Sequence, residues 1–78
     1  MNINVRYFAS LRDRMGRSED KLSFDKDAVT VADVWRQVSG ESMPESSILV
    51  AVNMEYTDTK HKVKNGDEVA FFPPVTGG

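Results

Sequence analysis

Cysteine is absent from this chain, and histidine occurs once. Without thiols there is no disulfide framework and no thiolate metal site. The single imidazole, His61, sits between Lys60 and Lys62, a setting that disfavours both a metal ion and a protonated catalytic role. Neither a Ser-His-Asp nor a Cys-His set can be assembled, and no glycine-rich phosphate loop appears. Acidic residues are plentiful, but no pair falls on an apolar face where burial would tune it for acid–base work. Long apolar runs are also missing: none approaches the ~20 residues of a membrane span. The N-terminus lacks the basic-then-apolar pattern of a secretory signal. Nor does one sign of charge dominate. Ten basic residues face twelve acidic ones, a net charge of −2, so neither nucleic acid nor an anionic membrane is an expected partner. These absences point to a soluble, cytoplasmic protein with no metal site that is not a self-contained enzyme.

What is present gathers at the end of the chain. Phe71 to Gly78 reads FFPPVTGG. Two aromatics close a strand-like run, and proline cannot donate to a ladder, so the sheet stops at Pro73. Pro73 and Pro74 favour an extended, polyproline II path. Beyond Thr76 there is no side chain, and Gly77 and Gly78 are bare backbone that fits a channel any Cβ would block. Terminal glycines can be no more than a frayed end; the stiff Pro-Pro spacer in front of them favours a functional tail. The one group left with chemical possibilities is the carboxylate of Gly78. It resists nucleophiles until a mixed anhydride with adenylate supplies a leaving group. An amine would then give conjugation, and sulfide from a persulfide would give a thiocarboxylate; the residues alone leave both open.

The 78 residues form one domain near the lower size limit for unaided folding, with 73–78 as an extended C-terminal tail. Residues 2–8 alternate, Ile3, Val5 and Tyr7 against Asn2, Asn4 and Arg6, and predict a half-buried strand. Phe8 breaks the alternation, either folding under the next segment or standing out for a partner. Ser10 to Met15 predicts a short helix capped by Ser10, with Asp13 at N3, and ended by Gly16. Arg12 and Arg14 then point to solvent. Residues 16–20 read as a polar turn and Lys21 to Phe24 as a second strand, Leu22 and Phe24 inward. Thr30 with Asp33 three residues on is a capping-box variant before the apolar stripe Val31, Val34, Trp35 and Val38, and Gly40 is a natural stop. Trp35 is read as core. Residues 41–47 form a loop containing Pro44. Ile48 to Val52 is a strand covered on at least one face, followed by a turn at Asn53, and Tyr56 belongs to a short edge strand. Asn65-Gly66-Asp67 marks a turn before the last strand, Glu68 to Phe72. With Val69 and Phe71 inward, Phe72 stands on the outer face beside the departing tail. It is there either as a docking surface or packed locally under the prolines. The pattern predicts an α+β two-layer fold, four or five strands with one main helix across them.

At this point the chain resembles a known family. The run GDEVAFFPPVTGG, Gly66 to Gly78, is highly specific and resembles the small, sulfur-carrying subunits of molybdopterin synthase, the MoaD-type proteins. VRYFASLR, Val5 to Arg12, and Val50-Ala51-Val52-Asn53 lend support. The resemblance implies a ubiquitin-like β-grasp fold with a mixed sheet. It implies that an ATP-dependent adenylyltransferase adenylates Gly78, that a sulfur donor converts it to a thiocarboxylate, and that ATP is used there with no cofactor held permanently. The tail would enter a pocket of the large synthase subunit, in a heterotetramer, and pass sulfur to cyclic pyranopterin monophosphate to build a dithiolene. Gly77 and Gly78 would enter that pocket, Val75 and Thr76 line its mouth, and Phe8, Arg12, Phe72 and Pro73 face the partner. Rival readings are a carrier for thiamine synthesis or tRNA thiolation, and a non-catalytic β-grasp adaptor with an inert tail. Thiamine carriers resemble this tail less, lacking the Phe-Phe-Pro-Pro approach.

Overall fold

The computed structural model describes residues 1–41 and 48–73. Strand β1 (Asn2–Tyr7) buries Ile3, Val5 and Tyr7 and exposes Asn2, Asn4 and Arg6, because successive side chains leave opposite faces of a pleated strand. The last strand, β7 (Glu68–Phe72), has the predicted bounds and buries Val69 and Phe71 completely. It lies parallel to β1, with Tyr7 opposite Phe71. Strand β2 (Glu19–Ser23) pairs antiparallel with the free edge of β1. On the other side of β7 come β4 (Leu49–Val52) and the edge strand β5 (Glu55–Thr57), both antiparallel. The order β2-β1-β7-β4-β5 makes a mixed five-stranded sheet with one main helix packed across it, the ubiquitin-like β-grasp arrangement.

That helix is α2 (Val31–Ser39), and its start is fully specified. The Thr30 hydroxyl accepts the Asp33 N–H at 3.3 Å, and the Asp33 carboxylate accepts the Thr30 N–H at 3.0 Å, the expected capping box. The next orphan amides of the first turn are also met: Val31 N–H and Ala32 N–H donate to the carbonyls of His61 and Thr59, each at 3.0 Å. Val31, Val34 and Trp35 are buried, and Val38 packs partly against them. Three valines are poor helix formers, so α2 depends on this stripe meeting the sheet. Gly40 ends it in the left-handed conformation, which glycine adopts without a Cβ penalty. The backbone amide of Thr30, with Lys26 and Arg36 adding to it, holds the Asp33 carboxyl below its ordinary range against the opposing effect of burial. A depressed folded value means this contribution to stability is present above the unfolded carboxylate pKa and fades as pH falls through the folded one. Thr30→Ala is expected to cost about 1 kcal/mol, a fall in melting temperature of about 4–8 °C. Thermal denaturation at neutral pH checks it; an unmoved midpoint would mean the cap contributes nothing.

Three details differ from the sequence reading. Ser10 does not cap α1 (Ser10–Met15): the N-cap is Ala9, at φ 52, with no side-chain cap. The helical turn starts directly off β1, since the carbonyls of Phe8 and Ala9 already accept the amides of Leu11 and Arg12, which makes Ser10 helical. Strand β2 begins two residues earlier than expected because Glu19 and Asp20 pair with Arg6 and Val5. Two short strands, β3 (Val29–Thr30) and β6 (Lys62–Val63), form a separate antiparallel pair, so among the described residues four strands follow α2 rather than two or three. The expected turn at Asn53 is present and takes in Met54 as well: Val52 pairs with Glu55, and both Asn53 and Met54 have positive φ, 51 and 72, the signature of a type I′ turn. At Met54 that conformation costs about 1–2 kcal/mol relative to a right-handed one. Among the described residues no helix is long and apolar enough to cross a membrane.

Candidate docking face at the root of the tail

The outer face of the sheet is assembled by strand register. One cross-strand row runs Arg6, Ala70, Ala51, Tyr56. The two alanines in its middle are too small to fill the space between their neighbours, and they floor a hollow of about 470 Å³. Its walls are Phe8, Phe72, Tyr56 and Met54, with Arg6 and Glu68 as the charged members of the lining. The Phe8 and Phe72 rings stack with centroids 4.7 Å apart and 10° between planes, and Tyr56 tilts against Phe72 at 5.9 Å. The Arg6 guanidinium lies 5.9 Å from the Phe8 centroid, in reach of a cation–π contact. Leu49 lies opposite Phe72 in the ladder. Phe8 and Leu49 are each 38% exposed, Tyr56 72% and Met54 92%. A contiguous apolar patch with aromatic anchors and a polar edge is the composition of a protein-docking surface.

The opposite face of the same strand ends is locked. Tyr7 and Phe71 stack at 6.4 Å, and Trp35 meets Phe71 edge-on at 4.9 Å. The Tyr7 hydroxyl donates to the Asp20 carboxylate at 2.7 Å, and Arg17 Nε donates to the same oxygen. Burial first, and then that carboxylate, push the Tyr7 hydroxyl above its ordinary value, so it remains a neutral donor. Arg17 also donates to the carbonyls of Met15, at 2.9 Å, and Val38, at 3.3 Å. One guanidinium thereby ties the ends of both helices to Asp20 of β2, the strand paired with β1.

Phe8 is resolved toward the outer face rather than folded under α1, and Phe72 packs on Phe8 and Tyr56 while remaining half-buried. Pro73, also half-buried, continues from the end of β7. Arg12 is exposed on α1 and does not line the hollow. Val75, Thr76, Gly77 and Gly78 lie outside the described residues, as do Pro74 and the loop residue Pro44. Arg6, Ala51, Met54, Tyr56 and Ala70 are members of the face that the sequence reading did not gather. The available signal was the strand alternation, which turns Ala51 outward between buried Val50 and Val52, and Ala70 outward between buried Val69 and Phe71. What alternation could not supply is that the two alanines are neighbours.

The profile described as the ThiS family matches residues 5–78. The molybdopterin synthase sulfur carrier subunit of Haemophilus influenzae is 35% identical over 82 residues, covering 97% of this chain and 99% of its own. The protein of the same name from Escherichia coli K12 is 34% identical over 82 residues, with the same coverage. Among solved structures, SAMP1 of Haloferax volcanii, a small archaeal modifier protein, is similar with a TM-score of 0.83 at 27% identity, covering all of both chains.

Proposed function

The chain belongs to the ThiS family, and from that premise we propose that it is the sulfur-carrying subunit of molybdopterin synthase, acting through the carboxylate of Gly78. The observation that carries this reading is near-full-length identity, at 34–35%, to two proteins of that name. The fold adds a reason: an aromatic docking face lies beside the root of the tail, and the described residues offer no competing catalytic set.

The chemistry follows from the terminal group. The Gly78 carboxylate is anionic and has no leaving group, so an ATP-dependent adenylyltransferase first joins it to adenylate. Sulfide, released from a donor persulfide by a reducing thiol, then attacks the carbonyl carbon, AMP departs, and the chain is left with a terminal thiocarboxylate. The large synthase subunit takes the tail into its pocket, Gly77 and Gly78 deepest and Val75 and Thr76 at the mouth, while Phe8, Phe72 and Pro73 press on its surface and Arg12 flanks them. There the sulfur passes to cyclic pyranopterin monophosphate. The proposed role is a cytoplasmic one, with catalytic side chains supplied by its partners.

Intact-mass measurement tests the reading. Incubation with the activating enzyme, ATP and a sulfur donor is expected to add about 16 Da, one oxygen exchanged for sulfur. An unmodified mass, under conditions that charge a known carrier, would count against it. The similarity to an archaeal modifier keeps amine conjugation as the second reading, whose signature is an amide-linked adduct instead. Loss of molybdoenzyme activity on deletion, without thiamine auxotrophy, separates the proposed role from a thiamine carrier.

A further inference from the structure

Met54 occupies a position that a methionine does not suit. Strand register leaves two residues between Val52 and Glu55, and two-residue loops with positive φ at both positions favour Asn followed by Gly. Asn53 fits the first position and is anchored there. Its N–H donates to the Glu68 carbonyl at 2.8 Å, its Oδ1 accepts the Glu68 N–H at 3.0 Å, and its Nδ2 donates to Asp67 at 2.9 Å. The hairpin is therefore framed without help from residue 54. Met54 nonetheless sits at φ 72, where glycine would be unstrained. Its side chain is 92% exposed, so it returns almost no burial to the domain. It lines the hollow together with Tyr56, Phe72 and Phe8.

Strain combined with exposure stabilises nothing in the free chain, and such outliers mark places where a contact outside the domain matters. We propose that Met54 is a specificity-determining contact of the docking face, a thioether knob that inserts into an apolar recess of the large subunit of molybdopterin synthase. This rests on the function proposed above. The large subunit is the occupant chosen because the Met54 side chain is continuous with the Phe8–Phe72 stack at the root of the tail. A long, polarisable, unbranched side chain is also suited to filling an irregular recess.

The experiment separates fold from docking. Met54→Gly and Met54→Asn relieve the backbone and remove the knob; both are expected to raise the melting temperature, by up to about 4–8 °C. Both are also expected to weaken binding to the purified large subunit, measured by calorimetry, by at least about fivefold. Met54→Leu, which keeps an apolar knob, is expected to stay within about twofold of the parent. A lower melting temperature in Met54→Gly would show that the side chain serves the fold and would overturn the proposal. An unchanged Kd in Met54→Gly while Phe72→Ala weakens binding would overturn it and leave the docking face standing. If neither weakens binding, the face itself is misassigned. Self-association that Met54→Gly abolishes, with Kd for the large subunit unchanged, would make a second copy the occupant and overturn it as well.

Discussion

Adding one residue after Gly78 is expected to abolish sulfur transfer while leaving the thermal transition where it was. The Gly78 carbonyl would become an internal amide, and the new carboxylate would stand about 3.5 Å further along the chain. A misplacement of ~1 Å can cost ~100-fold in a positioned reaction, so a full residue takes the acyl carbon out of reach of the activating enzyme. The fold has no reason to notice. Among the described residues Phe71 is the last fully buried side chain, and Pro73 already follows the end of β7. Single-turnover charging with ATP and a sulfur donor measures the first effect and calorimetry the second. Transfer that survives the extension would show that the reacting group is not the Gly78 carbonyl.

Phe71→Ala should do the reverse. The ring is fully buried, edge-on to Trp35 and stacked with Tyr7, and deleting a phenylalanine at such a site costs about 3–5 kcal/mol. A domain of this size holds on the order of 4–12 kcal/mol in total, so the variant loses a large share of its stability. Its melting temperature is expected to drop by more than about 12 °C. Phe72→Ala, one position later, removes a half-exposed ring on the other side of the sheet and should leave the transition within a few degrees. Equal losses at the two positions would mean that the outer ring is part of the fold after all and that the Phe8–Phe72 stack is structural.

The contrast between these neighbours was legible in the sequence, since alternation along Glu68 to Phe72 assigns the two rings to opposite faces. So were β1, the Thr30–Asp33 box, the stripe on α2, the stop at Gly40 and the turn at Asn53, because each depends on residues within a few positions of one another. What escaped depends on distant partners. Ala9 caps α1 only because β1 has already fixed Phe8, and β2 gains Glu19 and Asp20 because β1 offers them a ladder. Val29 and Thr30 become a strand only when Lys62 and Val63 arrive. The hollow escaped for the same reason: Ala51 and Ala70 look unremarkable until the β4–β7 register sets them side by side. Local pattern reveals which way a side chain points, whereas register determines what stands next to it.

The central parallel pair carries a consequence for how the molecule is made. β1 is held by contacts that reach across nearly the whole chain, as far as Asn2 to Gly66, 64 positions apart, and β7 inserts between β1 and β4. During translation the first strand has no central neighbour until the last one clears the ribosome, and closing so distant a contact is intrinsically slow. A product terminated before Glu68 would lack the middle of its sheet. Completion of the sheet therefore waits for the last described strand, the one from whose end the proposed carrier tail departs.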